Sequence, residues 1–184
     1  MSKSFGKYII NIREENINGM NHGFKINENL YISDEKYDII LFDFKLKKKI
    51  LSIKFHSKLI TSIHICKKPL FLENKELTFT NNSFFILSSS LDKKFALYNI
   101  FYNNLSFNYK LIAECKPTRD EIIGIIQIEN GQILVATRDQ CLLLFSNNIT
   151  DRKFIKLFEI IKGWPMRTLS LFEIKNNLIG VCWE

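Results

Sequence analysis

Apolar residues along this chain fall in short runs separated by polar turn residues, and the three-and-four spacing of an amphipathic helix is hard to find. The runs are KYIINI, GFKI, NLYI, DIILFDF, ILSIKF, LITSIHI, SFFILSS, KFALYNI, YKLIAE, EIIGIIQI, QILVAT, CLLLF, KFIKLFEI, RTLSLFEI and LIGVCW. They are rich in Ile, Phe, Leu and Tyr, which suit a pleated, half-buried surface. Turn signals stand between them at Asn27 to Asn29, Asn81-Asn82, Asn130-Gly131 and Asn176-Asn177. Asn and Gly accept the positive φ that tight hairpins demand. Short β-prone runs at near-regular spacing predict an all-β sandwich, barrel or propeller.

The pattern also repeats. SSSLDKKFALYN (Ser88 to Asn99) returns as TRDQCLLLFS (Thr137 to Ser146), and in blurred form as ISDEKYDIILFD (Ile32 to Asp43). Aligning the aromatics that close each run, Phe42, Tyr98 and Phe145, gives steps of 56 (42 to 98) and 47 (98 to 145). A period of about 40–50 built from four strands is the mark of propeller blades. The longer step holds an insertion, Lys67 to Asn82, expected to form an extended hairpin or loop between a first and a second strand.

In this register the chain resembles the WD-repeat β-propeller family. Tyr98-Asn99 and Phe145-Ser146 stand where the family has Trp-Asp, Phe42-Asp43 keeps the Asp, and His56 precedes Ile60 and Ile63 as in the family's Gly-His opening. The resemblance implies a buried relay of His56, Ser88 or Ser90, Asp92 and Tyr98 that latches the second unit. In the third unit it implies a latch of Thr137, Asp139 and Phe145, incomplete because Arg119 stands at the His position. The first unit aligns Lys36 with the Asp position, with Asp34 and Asp38 either side, and His22 is poorly spaced for its opening.

The implied architecture is a partial WD-repeat-like propeller of four-stranded antiparallel blades over residues 1–184. A closing outer strand is expected at about 7–12, blades at about 17–55, 56–115 and 119–161, and an incomplete blade at 164–184 that lacks its third and fourth strands. The remaining blades would come from a longer chain or from a partner.

Composition changes this picture little. The 184 residues are 46% apolar and 24% charged, enough for one domain with a real core. The net charge of +7 suits an acidic partner, but the lysines are spread along the chain. Their densest run, KLKKK (Lys45 to Lys49), sits where a hairpin turn belongs. Cys66, Cys115, Cys141 and Cys182 show no C-x-x-C spacing and read as buried free thiols, so no metal is expected. No secretory leader is visible and no apolar run approaches the ~20 residues of a membrane helix, so a cytoplasmic or nuclear setting is the default reading.

Ser, His and Asp are also the parts of a nucleophilic triad. The chain has no G-x-S-x-G elbow, and the latch accounts for the same residues, so no catalytic residue and no cofactor are expected. His64 alternates within LITSIHI and reads as a core or surface residue rather than a ligand. The function these observations imply is a non-catalytic scaffold for protein partners, with Arg119, Arg138 and Trp164 as candidate contact-loop residues. The alternative is a basic platform for nucleic acid or anionic lipid.

Overall fold

Within Ser83–Ser90, Phe85 and Leu87 face one way and Ile86 and Ser88 the other, and both faces are buried. The neighbouring Phe95–Asn103 repeats the arrangement, with Phe95 and Leu97 on one face and Ala96, Tyr98 and Ile100 on the other. A strand with two apolar faces needs a sheet packed on each side, and that requirement organises the molecule.

The computed structural model describes residues 23–78, 80, 82–161, 168–175 and 178–183; for 160, 161 and the last two strands it describes the backbone path. These residues are all-β. A first antiparallel sheet runs in chain order through β1 (Gly23–Lys25), β2 (Leu30–Glu35), β3 (Asp38–Asp43) and β4 (Lys48–Lys54). Next come β5 (Ile60–Ile65), a small hairpin of β6 (Phe71–Leu72) and β7 (Lys75–Glu76), then β8 (Ser83–Ser90), β9 (Phe95–Asn103) and β10 (Ser106–Glu114). The chain continues through β11 (Ile122–Gln127), β12 (Ile133–Thr137), β13 (Cys141–Thr150) and β14 (Lys153–Ile161). It ends in an antiparallel pair, β15 (Thr168–Lys175) and β16 (Leu178–Trp183), with β15 beside β11 and β12.

Strands β5-β8-β9-β10 and β11-β12-β13-β14 each form an antiparallel meander. Here the structure departs from a set of separate four-stranded sheets. The two meanders are joined by one parallel pair, Glu114 with Lys153, into a single ten-stranded sheet of nearly closed, barrel-like form. The junction exists because the β13–β14 hairpin turns at Asp151-Arg152, both at positive φ, which presents the Arg152 carbonyl to the Glu114 N–H at 3.2 Å.

Among the described residues the two larger cores follow from the alternation. Ile32, Ile39, Leu41 and Ile53 of the first sheet pack against Ile60, Ile86, Tyr98 and Ile100. Phe85, Leu87, Phe95 and Leu97 pack instead against Ile122, Val135, Leu143, Phe145 and Phe154. Phe95 is the hinge of the second core, 4.9 Å from the Phe145 ring and 4.6 Å from that of Phe154. Burial of each such ring stabilises the fold by roughly 1.5–3 kcal/mol.

The insertion at Lys67 to Asn82 forms the β6–β7 hairpin, turning through Glu73 and Asn74 at positive φ. It straps the first of these two meanders to the second: Phe71 and Leu72 pair in parallel with Asn148 and Ile149 of β13. Glu73 N–H donates to the Ile149 carbonyl at 2.9 Å, and Leu70 is wholly buried beneath.

The first unit is aligned differently from the sequence expectation. In the second and third units the residue after the turn Asp takes positive φ, Lys93 at 70° and Gln140 at 67°. In the first unit that residue is Lys36, at 57°. Glu35, not Lys36, therefore stands where Asp92 and Asp139 do. The step from 93 to 98 equals that from 140 to 145, and the same step from 36 lands on Leu41, which is buried in the core, instead of Phe42. A one-residue slip sends every strand side chain to the opposite face, so the buried Leu decides the register. The KLKKK segment does lie at a hairpin: Asp43 Oδ1 accepts the Leu46 N–H at 2.9 Å, and Lys47 takes positive φ. The expected strand at 7–12, the candidates His22 and Trp164, and the side chain of Cys182 lie outside the described residues.

Candidate functional site

The turn between β8 and β9 must reverse the chain directly after three buried serines, and Asp92 is the residue that organises it. Its N–H donates to Ser90 Oγ at 3.1 Å, and its Oδ1 accepts the Lys94 N–H at 3.0 Å. Its Oδ2 accepts the Ser57 N–H at 3.0 Å and lies 3.0 Å from His56 Nδ1. On the other side of the ring, His56 Nε2 lies 2.8 Å from Ser88 Oγ. A carboxylate only accepts, so Nδ1 donates to it. In the neutral ring Nε2 then accepts from Ser88; in the protonated ring it donates.

The structure thus brings His56, Ser88 and Asp92 into one chain of contacts, and it separates the two serine candidates. Ser88 meets the imidazole, whereas Ser90 accepts from Asp92 and donates to the Lys58 carbonyl at 3.1 Å. The His56 side chain is 0% exposed and that of Asp92 5%. Burial alone would raise the Asp92 pKa; the bonds from His56 and from the Ser57 and Lys94 amides overcome it and hold the carboxyl below its ordinary range. Tyr98 is buried on the same face, edge-on to Phe55, which is itself edge-on to His56. The Tyr98 hydroxyl approaches Ser88 without a hydrogen bond of ordinary geometry, and burial pushes its pKa well above the usual phenol value.

The third unit carries a different turn. Thr137 Oγ1 lies 2.6 Å from Asp139 Oδ1 and 3.2 Å from the Cys141 carbonyl. Arg119, at the place of His56, reaches Asp139 Oδ2 at 3.5 Å, but its side chain is 73% exposed. A long guanidinium cannot be buried beside the turn as an imidazole is, so the carboxylate is paired from the solvent side. Phe145 packs in the second core against the rings of Phe95 and Phe154.

The entries to β5 and β11 and the turns before β9 and β13 meet on one rim. Lys58 Nζ lies 3.2 Å from Glu121 Oε1, and Arg138 pairs with Glu121 Oε2. Thr118 N–H donates to the Lys93 carbonyl at 2.7 Å, and Lys93 Nζ donates to the Arg119 carbonyl at 3.1 Å. Arg119 and Arg138 are thereby neighbours on this rim. Glu121 and Thr118 carry no sequence signal of their own; their roles arise only when the two loops meet.

Gln127 was also silent in the sequence, although a lone amide in an apolar run needs partners if buried. Its Oε1 accepts the N–H groups of Lys67 and Lys68 at 3.0 and 2.9 Å, and its Nε2 donates to the Lys68 and Gly131 carbonyls at 3.0 and 3.3 Å. It anchors the strap. His64 is half-buried, and burial together with Lys67 lowers its pKa to about 4. Cys66, Cys115 and Cys141 are free and buried; burial pushes Cys115 up to about 12. Among the described residues no group of three or more His, Cys, Asp or Glu side chains is placed to hold a metal ion, and no helix is long and apolar enough to cross a membrane. No family model and no curated protein matches this chain.

Proposed function

We propose that the chain is a non-catalytic scaffold of the WD-repeat propeller kind, binding protein partners on the rim where its inter-strand loops converge. The observation that carries this reading is the rim itself. Charged side chains from four separate chain segments (Lys58, Lys93, Arg119 to Glu121, Arg138 and Asp139) are fixed to one another by backbone and ion-pair contacts. Loops held on a rigid sheet scaffold are where binding surfaces are built. Four-stranded meanders packed face to face support the propeller reading, and a His–Asp–Ser relay at the turn supports the WD-repeat resemblance.

The same three side chains have the contacts of a hydrolase triad, and burial speaks against that role. Ser88 is 0% exposed and so is the His56 side chain, so neither the hydroxyl nor Nε2 is open to a substrate. A nucleophile has to reach a carbonyl from outside. Here Ser88 points into the core between the first sheet and β8.

The reading is tested by affinity capture with the wild-type chain and an Arg119→Glu/Arg138→Glu double variant, checked for an unchanged melt. The expected result is a protein retained at physiological salt and lost from the double variant. Retention of nucleic acid or anionic vesicles in place of protein, falling steeply with salt, would replace the scaffold by the basic-platform alternative.

A further inference from the structure

The outer strand β14 is paired on one side only. It follows β13 along its length, but toward β10 it makes the single pair Lys153–Glu114, and from there the two strands part. Among the described residues the edge from Phe154 to Glu159 has no further ladder partner. This edge is unusually apolar for one left open. Ile155, Leu157 and Phe158 are 41%, 50% and 58% exposed. Exposed edges are normally blunted by charge, bulge or cover, and an apolar one is a template for another strand.

Where β14 and β10 part, a cleft of about 490 Å³ opens beside that edge. Its floor is apolar, made by Leu143, Phe145 and Phe154. Its walls carry Lys116, Arg119, Lys153 and Lys156 against a single acid, Glu159. An occupant therefore meets three demands together: a backbone able to extend the ladder, an apolar side chain for the floor, and negative charge for the walls. Strand addition with side-chain pockets at alternate positions is a known way to combine them.

We infer that the β14 edge and the adjoining cleft dock an extended, acidic segment of a partner protein in which acidic and aliphatic residues alternate. A second copy of this chain is a poor occupant, because its own β14 brings Lys153 and Lys156 with the one acid Glu159 toward walls that are already basic. The inference rests on the protein-binding reading above and shares only Arg119 with the rim, so the two are tested separately with variants that leave Arg119 in place.

The experiment titrates the full chain into a fluorescein-labelled peptide of alternating Asp and Leu and reads anisotropy. Two further peptides carry N-methyl groups on alternate amides, one on the odd set and one on the even set. Ladder pairing uses only one set, so one methylated peptide should lose binding and the other keep it. Lys153→Glu/Lys156→Glu should weaken the parent peptide by about tenfold or more with an unchanged melt, since close charge pairs at an interface are worth that much. Equal behaviour of the two methylated peptides, or an unchanged affinity in the charge-reversed variant, overturns the inference. So does a dimer in sedimentation that Leu157→Arg dissociates, which would assign the edge to a second copy. The rim is tested for capture independently with Arg138→Glu alone, at a position outside the cleft, so failure of the peptide leaves the rim reading standing.

Discussion

His56, just ahead of β5, and Asp92, in the β8–β9 turn, are 36 residues apart in sequence and meet through a 3.0 Å contact between Nδ1 and Oδ2. The contact ties the first strand of its meander to the turn between the second and third. Asp92→Ala removes the acceptor for His56 and for two backbone amides at once. The expected loss is about 1–3 kcal/mol, the cost of leaving buried polar groups unpaired. Ser88→Ala should cost less, since it orphans only Nε2. Urea denaturation checks both; an unchanged midpoint for Asp92→Ala would remove the latch from the account of stability.

A pH dependence follows from His64. Its folded pKa is about 4 against an ordinary 6.5, so between those values the unfolded chain binds the proton and the folded chain does not. Stability is therefore complete above about 6.5 and falls as pH drops toward 4. Asp92, held below its ordinary 3.8, adds a separate loss at still lower pH. Melting midpoints followed from pH 7.5 down to pH 3.5 should show the first decline, and His64→Gln should flatten it.

Gly131 is where the strap is most easily broken. Its φ is +84°, and a Cβ there would lie 2.4 Å from the Pro69 carbonyl oxygen. Gly131→Ala is thus strained twice, by its own backbone and by the segment leading to β6. A loss of more than about 1 kcal/mol is expected, beyond the ordinary cost of Ala at positive φ. Amide exchange should show Lys67, Lys68 and Glu73 losing protection first, and protection that is unchanged would mean the strap is held elsewhere.

The β9–β10 hairpin has room for improvement. It turns through Asn104 and Leu105, at φ of 49° and 64°, and Leu105 is 90% exposed. A branched residue there carries a left-handed penalty of about 1–2 kcal/mol and gains nothing from burial. Leu105→Gly makes the Asn-Gly pair that two-residue hairpin turns favour. The midpoint should rise, and a fall would show that Leu105 has a contact the isolated chain hides.

Much of this fold is legible in the sequence itself. Short β-prone runs at near-regular spacing, with turn residues between them, determined that it is all-β, because runs of about four to eight residues are too short for helices and long enough for strands. The repeated Asp turns marked where β8 and β12 reverse, since a carboxylate that accepts nearby amides is a local device written in local residues. Cysteine spacing likewise argued for free thiols, and those of Cys66, Cys115 and Cys141 are buried and unpaired.

What only the tertiary structure decided involves groups distant in sequence. Ser88 and Ser90 are equivalent by pattern; which one meets His56 depended on how β5 docks beside β8. In the first unit Leu41, not Phe42, is the residue buried in the core, a packing outcome that no spacing rule contains. Gln127 became an anchor only when the strap crossed to β13. Arg119 could be placed at the His position from sequence, but its pairing with Asp139 from the solvent side follows from the length and charge of a guanidinium, which the buried turn cannot enclose.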